Sequence, residues 1–466
     1  MEKPKVFSRA LTRRSLLKAA GAGIVVSLLT ACQPKAPAPS GQATSQPAGQ
    51  GPTAQPPAPK ELTITFLSAQ AALKEQDPLA VLMKQFTEKN PGTKIATLTT
   101  AAGDDYFTKL VTMTAAKTPP DIFYMPPWNL IEFTDKNLLA SLDPYVAAGG
   151  FDIADVPKAL VEAYTWDGAL LGLPVLGIIA RIWAYNKDAF DAAGVPYPKR
   201  YWTMDDFLEK VQRVVRKKGG EVEVWGVDPR LTDNAHLLPW LWTYGGDFYN
   251  YPKLDKCIMD SPESVRAMQA SVDLIRKYKV QAPPEIGPND LGISFQTGKI
   301  AISAVGSGSW VDPAKAGEFL WAFKWGLIDQ PKVTEARALI HSTGLSLSAS
   351  SANRDAAWKL LAFLMSEESQ KFYSERTGKI AAIKSVGAKV AFKNIPADDQ
   401  KLIEDVLEYA WGRARWRTRV WSKSAANAQQ IWSAMWLGKM SVEEACKQAT
   451  KDTNQMLEEA AKALKS

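Results

Sequence analysis

Two α/β lobes, each a central sheet flanked by helices, are what this chain predicts, on three observations. From Leu62 to Met125 the pattern runs strand, helix, strand, helix, strand, which implies a parallel sheet with helices on its faces. A second alternation of strands and helices occupies Leu173 to Val305. The 406 residues beyond Lys60 are more than one hydrophobic core usually supports, so two lobes are expected.

The elements follow in order. Leu62-Thr63-Ile64-Thr65-Phe66-Leu67 alternates apolar and polar residues, the two-residue period of a strand. Leu79, Leu82, Met83 and Phe86 recur at helical spacing over Leu79 to Asn90, and Pro91-Gly92 stops that helix. Lys94 to Thr99 is a second strand, Tyr106 to Ala116 a second helix, and Asp121 to Met125 a third strand. Ligands of such sheets sit beyond the carboxyl ends of the strands, which is where Pro126-Pro127-Trp128-Asn129 falls. In the second half, Leu173 to Tyr185 is apolar and strand-like, and Thr203-Met204-Asp205-Asp206 is a capping box that opens a helix to about Lys218. Gly226-Val227-Asp228 is a strand, and Ala235 to Tyr244 is an aromatic-rich helix closed by Gly245-Gly246. Ser261-Pro262-Glu263 starts another helix with proline at its first position, and Gly298 to Ile302 turns a helix end into a strand.

Ahead of these elements the chain carries an address. Thr12-Arg13-Arg14-Ser15-Leu16-Leu17-Lys18 leads into the apolar stretch Ala19 to Leu29, which ends at Leu29-Thr30-Ala31-Cys32. A basic region, an apolar region and small residues before a cysteine form the pattern of a removable export signal. The paired arginines resemble the twin-arginine motif, which directs export of folded proteins, and Leu-Thr-Ala-Cys resembles the lipobox of bacterial lipoproteins. Residues 1–31 are therefore expected to be a signal peptide and Cys32 the acylated first residue of the mature chain. Ala19 to Leu29 is shorter than the roughly 20 residues a membrane-spanning helix needs, so attachment through lipid alone is expected. Gln33 to Lys60, built almost wholly of Pro, Ala, Gln, Gly, Ser and Thr, has too little apolar surface to offset its ordering entropy. It reads as a tether holding the folded body away from the membrane.

The formal charge of +7 and pI near 9.0 suggest a nucleic-acid partner at first sight. Six basic residues and one acidic residue of that total lie in residues 1–31, which leaves 50 basic and 48 acidic residues in the mature chain. That balance produces no global basic field, and no nucleic-acid partner is expected. With Cys32 assigned to lipid, Cys257 and Cys446 either pair or stay as two buried thiols. Neither they nor the two histidines, His236 and His341, are spaced as metal ligands, and no metal or cofactor is expected.

From about Glu61 onward the chain resembles an extracellular solute-binding protein of family 1, the carbohydrate type that serves ABC importers. The markers stand in family order: Thr118-Pro119-Pro120-Asp121-Ile122, Gly172-Leu173-Pro174, Tyr185-Asn186-Lys187-Asp188-Ala189-Phe190 and Trp202-Thr203-Met204-Asp205-Asp206-Phe207. They continue through Tyr244-Gly245-Gly246-Asp247, Phe295-Gln296-Thr297-Gly298-Lys299, Ser309-Trp310, Gly344-Leu345-Ser346-Leu347, Asn353 to Lys359, and Gly438 to Ala445. Each piece alone is weak; the ordered set covers nearly the whole body. The resemblance implies a periplasmic-binding-protein-like fold with the ligand in a cleft between lobes at a hinge. It divides the body into 61–174 and 343–390 for one lobe and 175–342 and 391–466 for the other, with crossings near Leu171 to Gly177, His341 to Leu345 and residue 390.

A sugar ring has apolar C–H faces and a polar rim, so its site wants flat aromatic faces edged by Asp, Asn, Gln, Arg and backbone groups. Among sixteen tryptophans the candidates are Trp310 after the glycine-serine run 306–309, Trp128 with Asn129 beyond the third strand, Trp240 on the aromatic helix, and Trp421. Asp233 and Asn234 ahead of the aromatic helix can accept hydroxyls or cap the helix. Ser68 and Gln70 lie at the carboxyl end of the first strand. Arg419 belongs to the Arg/Trp-rich run Trp411 to Trp421, whose arginines would also suit an acidic sugar or lie over tryptophan faces. The expected function is a monomeric, non-catalytic receptor that captures a carbohydrate, an oligosaccharide for preference, and delivers it to a permease. The rival classes are an exported carbohydrate-active enzyme, for which no segment resembles a hydrolase motif, and a receptor for an acidic sugar or non-sugar solute.

Overall fold

The computed structural model describes residues 61–69, 73–100, 104–285, 294–308, 320–387, 395–412 and 417–464. The export signal, Cys32, the tether, Gln70 and Trp310 lie outside the described residues. The body begins with β1 (Leu62–Ser68), α1 (Pro78–Lys89), β2 (Thr93–Thr99), α2 (Asp104–Ala115) and β3 (Ile122–Met125). In β1 the alternation buries Ile64 and Phe66, and α1 buries the stripe Leu79, Leu82, Met83 and Phe86. Strands β2 and β3 both run parallel to β1. Asp121, at the entry to β3, stitches this sheet: its Oδ2 accepts from Thr65 N at 2.7 Å and its Oδ1 from Ser351 Oγ at 2.5 Å.

After α3 (Leu130–Asp135), α4 (Asp143–Ala147), α5 (Lys158–Tyr164) and the small hairpin β4 (Thr165–Trp166) and β5 (Ala169–Leu170), the chain crosses to a second sheet. This crossing corrects one expectation: Leu173–Tyr185 is not one strand. The regular strand β6 (Ile179–Asn186) starts only at Ile179, because Leu173 pairs with Leu345 and Ile178 with Ile380 in isolated bridges. Those residues are apolar because the crossover itself is buried. Gly177 has φ +71°, and a Cβ there would stand 3.0 Å from Ile380 O, so glycine is required.

Next come α6 (Lys187–Ala193), α7 (Met204–Val214), β7 (Arg216–Lys218), β8 (Glu221–Asp228), α8 (Asn234–Thr243), α9 (Pro262–Arg276), β9 (Ile300–Gly306), β10 (Trp325–Ile328) and β11 (Leu339–His341). Asn186 caps α6 through Ala189 N at 3.0 Å, and the Thr203/Asp206 capping box opens α7 as expected. Helix α7 ends at Val214, short of Lys218, because Gly219 and Gly220, at φ +60° and +91°, turn the chain into the β7–β8 hairpin. The second sheet has the order β10-β6-β9-β8-β7, with β11 also on β6. The chain returns through β12 (Gly344–Leu347), antiparallel to β3, with α10 (Arg354–Leu364) and α11 (Glu367–Thr377) on the first sheet's side. It ends on the second with α12 (Ala397–Tyr409), α13 (Trp421–Trp436) and α14 (Val442–Ala463).

The second lobe's core is strongly aromatic. Trp183, Phe207, Trp240 and Trp432 are all at most 3% exposed, and Trp183 and Trp240 stack at 6.4 Å. Cys257 and Cys446 belong to that core as free thiols, which settles the alternative left open by the sequence. Burial pushes them up to about 11 and about 12, so both are protonated at neutral pH.

Candidate functional site

The carboxyl ends of β1, β2 and β3 fall together at Ser68, Thr99 and Met125, and Gly344 at the start of β12 pairs with Met125. On the second sheet, parallel β8 and β9 end at Asp228 and Gly306, and antiparallel β6 begins beside them at Ile179. Both sheets thus present their ligand-facing ends to the crossover segments.

Trp128 leaves the turn after β3, is partly exposed, and packs against the second lobe's core with its ring 6.5 Å from that of His341. Its neighbour Asn129 is buried, caps α3 by position without using its side chain, and has an Oδ1 with no hydrogen-bond partner among the described residues. A buried amide oxygen without a partner costs stability unless a ligand or water donates to it. Ser68 is buried at the end of β1.

Across the cleft, Asp233 serves two purposes. Its Oδ1 accepts from Ala235 N at 2.8 Å and so caps α8, while its Oδ2 lies 3.5 Å from Arg181 Nη2. Asn234 is the first residue of α8 and is partly exposed. Arg181 on β6 also reaches His236 Nε2 at 3.2 Å. Burial first, with Arg230 adding to it, holds the Arg181 guanidinium below its ordinary value against the opposing charge of Asp233. Burial also raises the nearby Asp228 carboxyl, partly offset by the Arg230 backbone N–H that it accepts at 2.8 Å.

Three candidates are engaged within the protein. Trp240 is fully buried and its Nε1 donates to Ala267 O at 2.8 Å, so the ring and its polar edge are both spent in the core. Trp421 opens α13 and packs edge-on against Phe248 and Tyr249, 5% exposed. Arg419 holds Asp135 in a two-point pair, Nε–Oδ2 2.6 Å and Nη2–Oδ1 3.0 Å, and lies over Trp166, as one of the alternatives for this run anticipated. Its neighbour Arg417 is buried and donates through Nη1 to the carbonyls of Glu162 at 2.8 Å, Ala163 at 3.1 Å and Thr165 at 2.5 Å. Arg417 and Arg419 thus tie the residues just before α13 to the end of α5 and to α3.

Arg181, His236 and His341 were missed from the sequence. The available signal was Arg181 itself, a lone charge in the apolar run Leu173 to Tyr185. Among the described residues no cluster of three or more His, Cys, Asp or Glu can hold a metal ion, and no helix is long and apolar enough to cross a membrane.

The model of the bacterial extracellular solute-binding protein family matches residues 70–371, well over half of the chain. The chain belongs to that family. A binding protein of Brucella abortus (strain 2308) is 24% identical over 304 residues, 63% of this chain and 70% of the relative. An ABC transporter periplasmic-binding protein of Escherichia coli K12 is 26% identical over 219 residues, 46% of this chain and 49% of the relative. Among solved structures, the ABC substrate-binding protein Lmo0181 of Listeria monocytogenes, in complex with cycloalternan, superposes with a TM-score of 0.73 at 24% identity, over 85% of this chain and 99% of that one. The sugar-binding protein MalE of Xanthomonas citri gives 0.71 at 19% identity, over 87% and 99%. These likenesses establish the two-lobed fold, and family membership makes the protein an exported receptor that binds a solute rather than an enzyme that converts one.

Proposed function

We propose that this solute-binding protein captures a carbohydrate, an oligosaccharide for preference, between its lobes and delivers it to the permease of an ABC importer. The observation that carries the reading is the pair Trp128 and Asn129: an aromatic face and a buried, unmatched amide oxygen side by side at the carboxyl end of β3. A sugar ring supplies the C–H face for one and a hydroxyl donor for the other. The bound sugars of structural neighbours such as Lmo0181 and a maltose-bound T. maritima MalE3 support the solute class. Ser68, Gln70, Asp233, Asn234 and Trp310 complete the proposed site. The lobes are assigned as 61–174 with 343–390 and 175–342 with 391–466, closing by bending at the crossovers.

In this reading the chain folds before export, is acylated at Cys32, and works as a monomer on the outer face of the membrane, with Gln33 to Lys60 as tether. Titrating a panel of glycans while following tryptophan fluorescence and Tm tests the central claim, because a ligand that binds only the folded state raises Tm with concentration. A broad panel with neither response overturns the carbohydrate assignment. Mass spectrometry of the mature N-terminus checks acylation, and Arg13→Lys with Arg14→Lys should block export.

A further inference from the structure

Arg181 is the one charged residue of β6, and its side chain is only 16% exposed. It faces Leu339 on β11 and Gly306 on β9. A Cβ at Gly306 would meet Arg181 Nη1 at 3.0 Å, so the guanidinium lies across that glycine toward the start of α8. There Nη1 meets His236 Nε2 at 3.2 Å. Arginine has no acceptor, so Nε2 must accept and the His236 proton sits on Nδ1. The Nη2 end stands 3.5 Å from Asp233 Oδ2, longer than a hydrogen bond. Nε is buried without a partner among the described residues.

The surroundings leave this cation under-matched. Asp233 is 39% exposed and its other oxygen is committed to the α8 cap. Arg230 adds a second positive charge close enough to act on Arg181, while burial drives Asp228 toward its neutral form. The location is the aromatic end of the cleft: His341, which Trp128 touches, pairs with Ile179, and Ile179 and Arg181 share one face of β6 about 7 Å apart.

We propose that Arg181 is a specificity-determining residue that selects an acidic saccharide, its Nη2 end taking a uronate carboxylate while the sugar ring lies near Trp128. A carboxylate completes the guanidinium with a charge-assisted bond that a hydroxyl cannot equal. This rests on the carbohydrate-receptor reading and narrows it.

The test uses the mature full chain in detergent, titrated with glucuronate- and galacturonate-containing oligosaccharides and with the same glycans after reduction of their carboxyl groups. The acidic member of a matched pair is expected to bind at least about tenfold more tightly, a preference that weakens as salt rises. Arg181→Met should remove the preference, lowering the affinity for the acidic glycan about tenfold more than that for its neutral partner, with Arg181→Lys between. Equal binding of the two members by the wild type, or an equal loss of both in Arg181→Met, overturns the proposal and leaves the receptor reading standing. Absence of binding by either class overturns both. The wild-type comparison decides the matter even if Arg181→Met does not fold.

Discussion

Replacing Arg417 by methionine tests the tie between the start of α13 and the end of α5. Arg417 is 8% exposed, and its Nη1 donates to three carbonyls at the carboxyl end of α5, where Thr165 N also reaches Glu162 O and Leu171 N reaches Tyr164 O. It also lies 5.4 Å from the Trp166 ring. Methionine keeps much of the apolar volume but removes the donors and the charge. A hydrogen bond from a charged donor contributes about 1.5–3 kcal/mol net. A cation at a helix carboxyl end adds up to ~2 kcal/mol in a buried setting. Against this stands the cost of burying the guanidinium, which already pulls it below its ordinary value despite Glu162. A net loss of about 2–3 kcal/mol follows from these opposing contributions. At about 2.1 cal/mol/K per residue over roughly 400 residues, the unfolding entropy is ~0.85 kcal/mol/K, so Tm should fall by about 2.5–3.5 °C. Differential scanning calorimetry reads this directly. Arg417→Lys should recover only part, because the shorter side chain does not carry its ammonium as far as Nη1 and has no planar group to lie over Trp166. A shift below about 1 °C for Arg417→Met, or full recovery with lysine, would refute the reasoning.

Asn129→Ala should weaken solute binding about five- to tenfold, one hydrogen bond's worth, while leaving Tm within about 1 °C, because its amide oxygen bonds nothing in the described protein; a collapse of Tm would mean a structural role instead. Trp128→Ala should cost affinity about tenfold or more through lost aromatic burial, read by isothermal titration calorimetry. Asp399→Asn should gain on the wild type in Tm as pH rises from below about 3.9, the unfolded carboxyl value, toward neutrality. Burial raises the folded-state carboxyl above its unfolded value of about 3.9, so stability is lost as pH climbs through that interval, and asparagine keeps an oxygen for Leu327 N. In the Cys32→Ser chain, neither Cys257 nor Cys446 should react with a thiol reagent until the protein is unfolded, when both should. Reaction of the native protein in proportion would contradict their burial.

Much of the architecture was legible because local rules and long-range packing agree here. The Thr203/Asp206 box and the stripe Leu79, Leu82, Met83 and Phe86 are short-range patterns, and both stand where the pattern puts them. Leu173–Ile178 misled because a buried crossover and a buried strand have the same apolar composition. The packing of Trp240 and Trp421 was not legible for a related reason: a tryptophan that stacks on a sugar and one that fills a core are the same residue, and only its three-dimensional neighbours distinguish them.

By itself the sequence determined the α/β alternation, the family, and the placing of Trp128 and Asn129 at a strand's carboxyl end. These follow from periodicity, capping chemistry and composition, which act over a few residues. Only the tertiary structure decided that Arg419 is held by Asp135, that Arg417 caps α5, and that Arg181 meets Asp233 and His236 at the cleft. Those pairs join residues brought together by crossovers between two sheets, and a charge's role depends on the burial and the partner that such crossings supply.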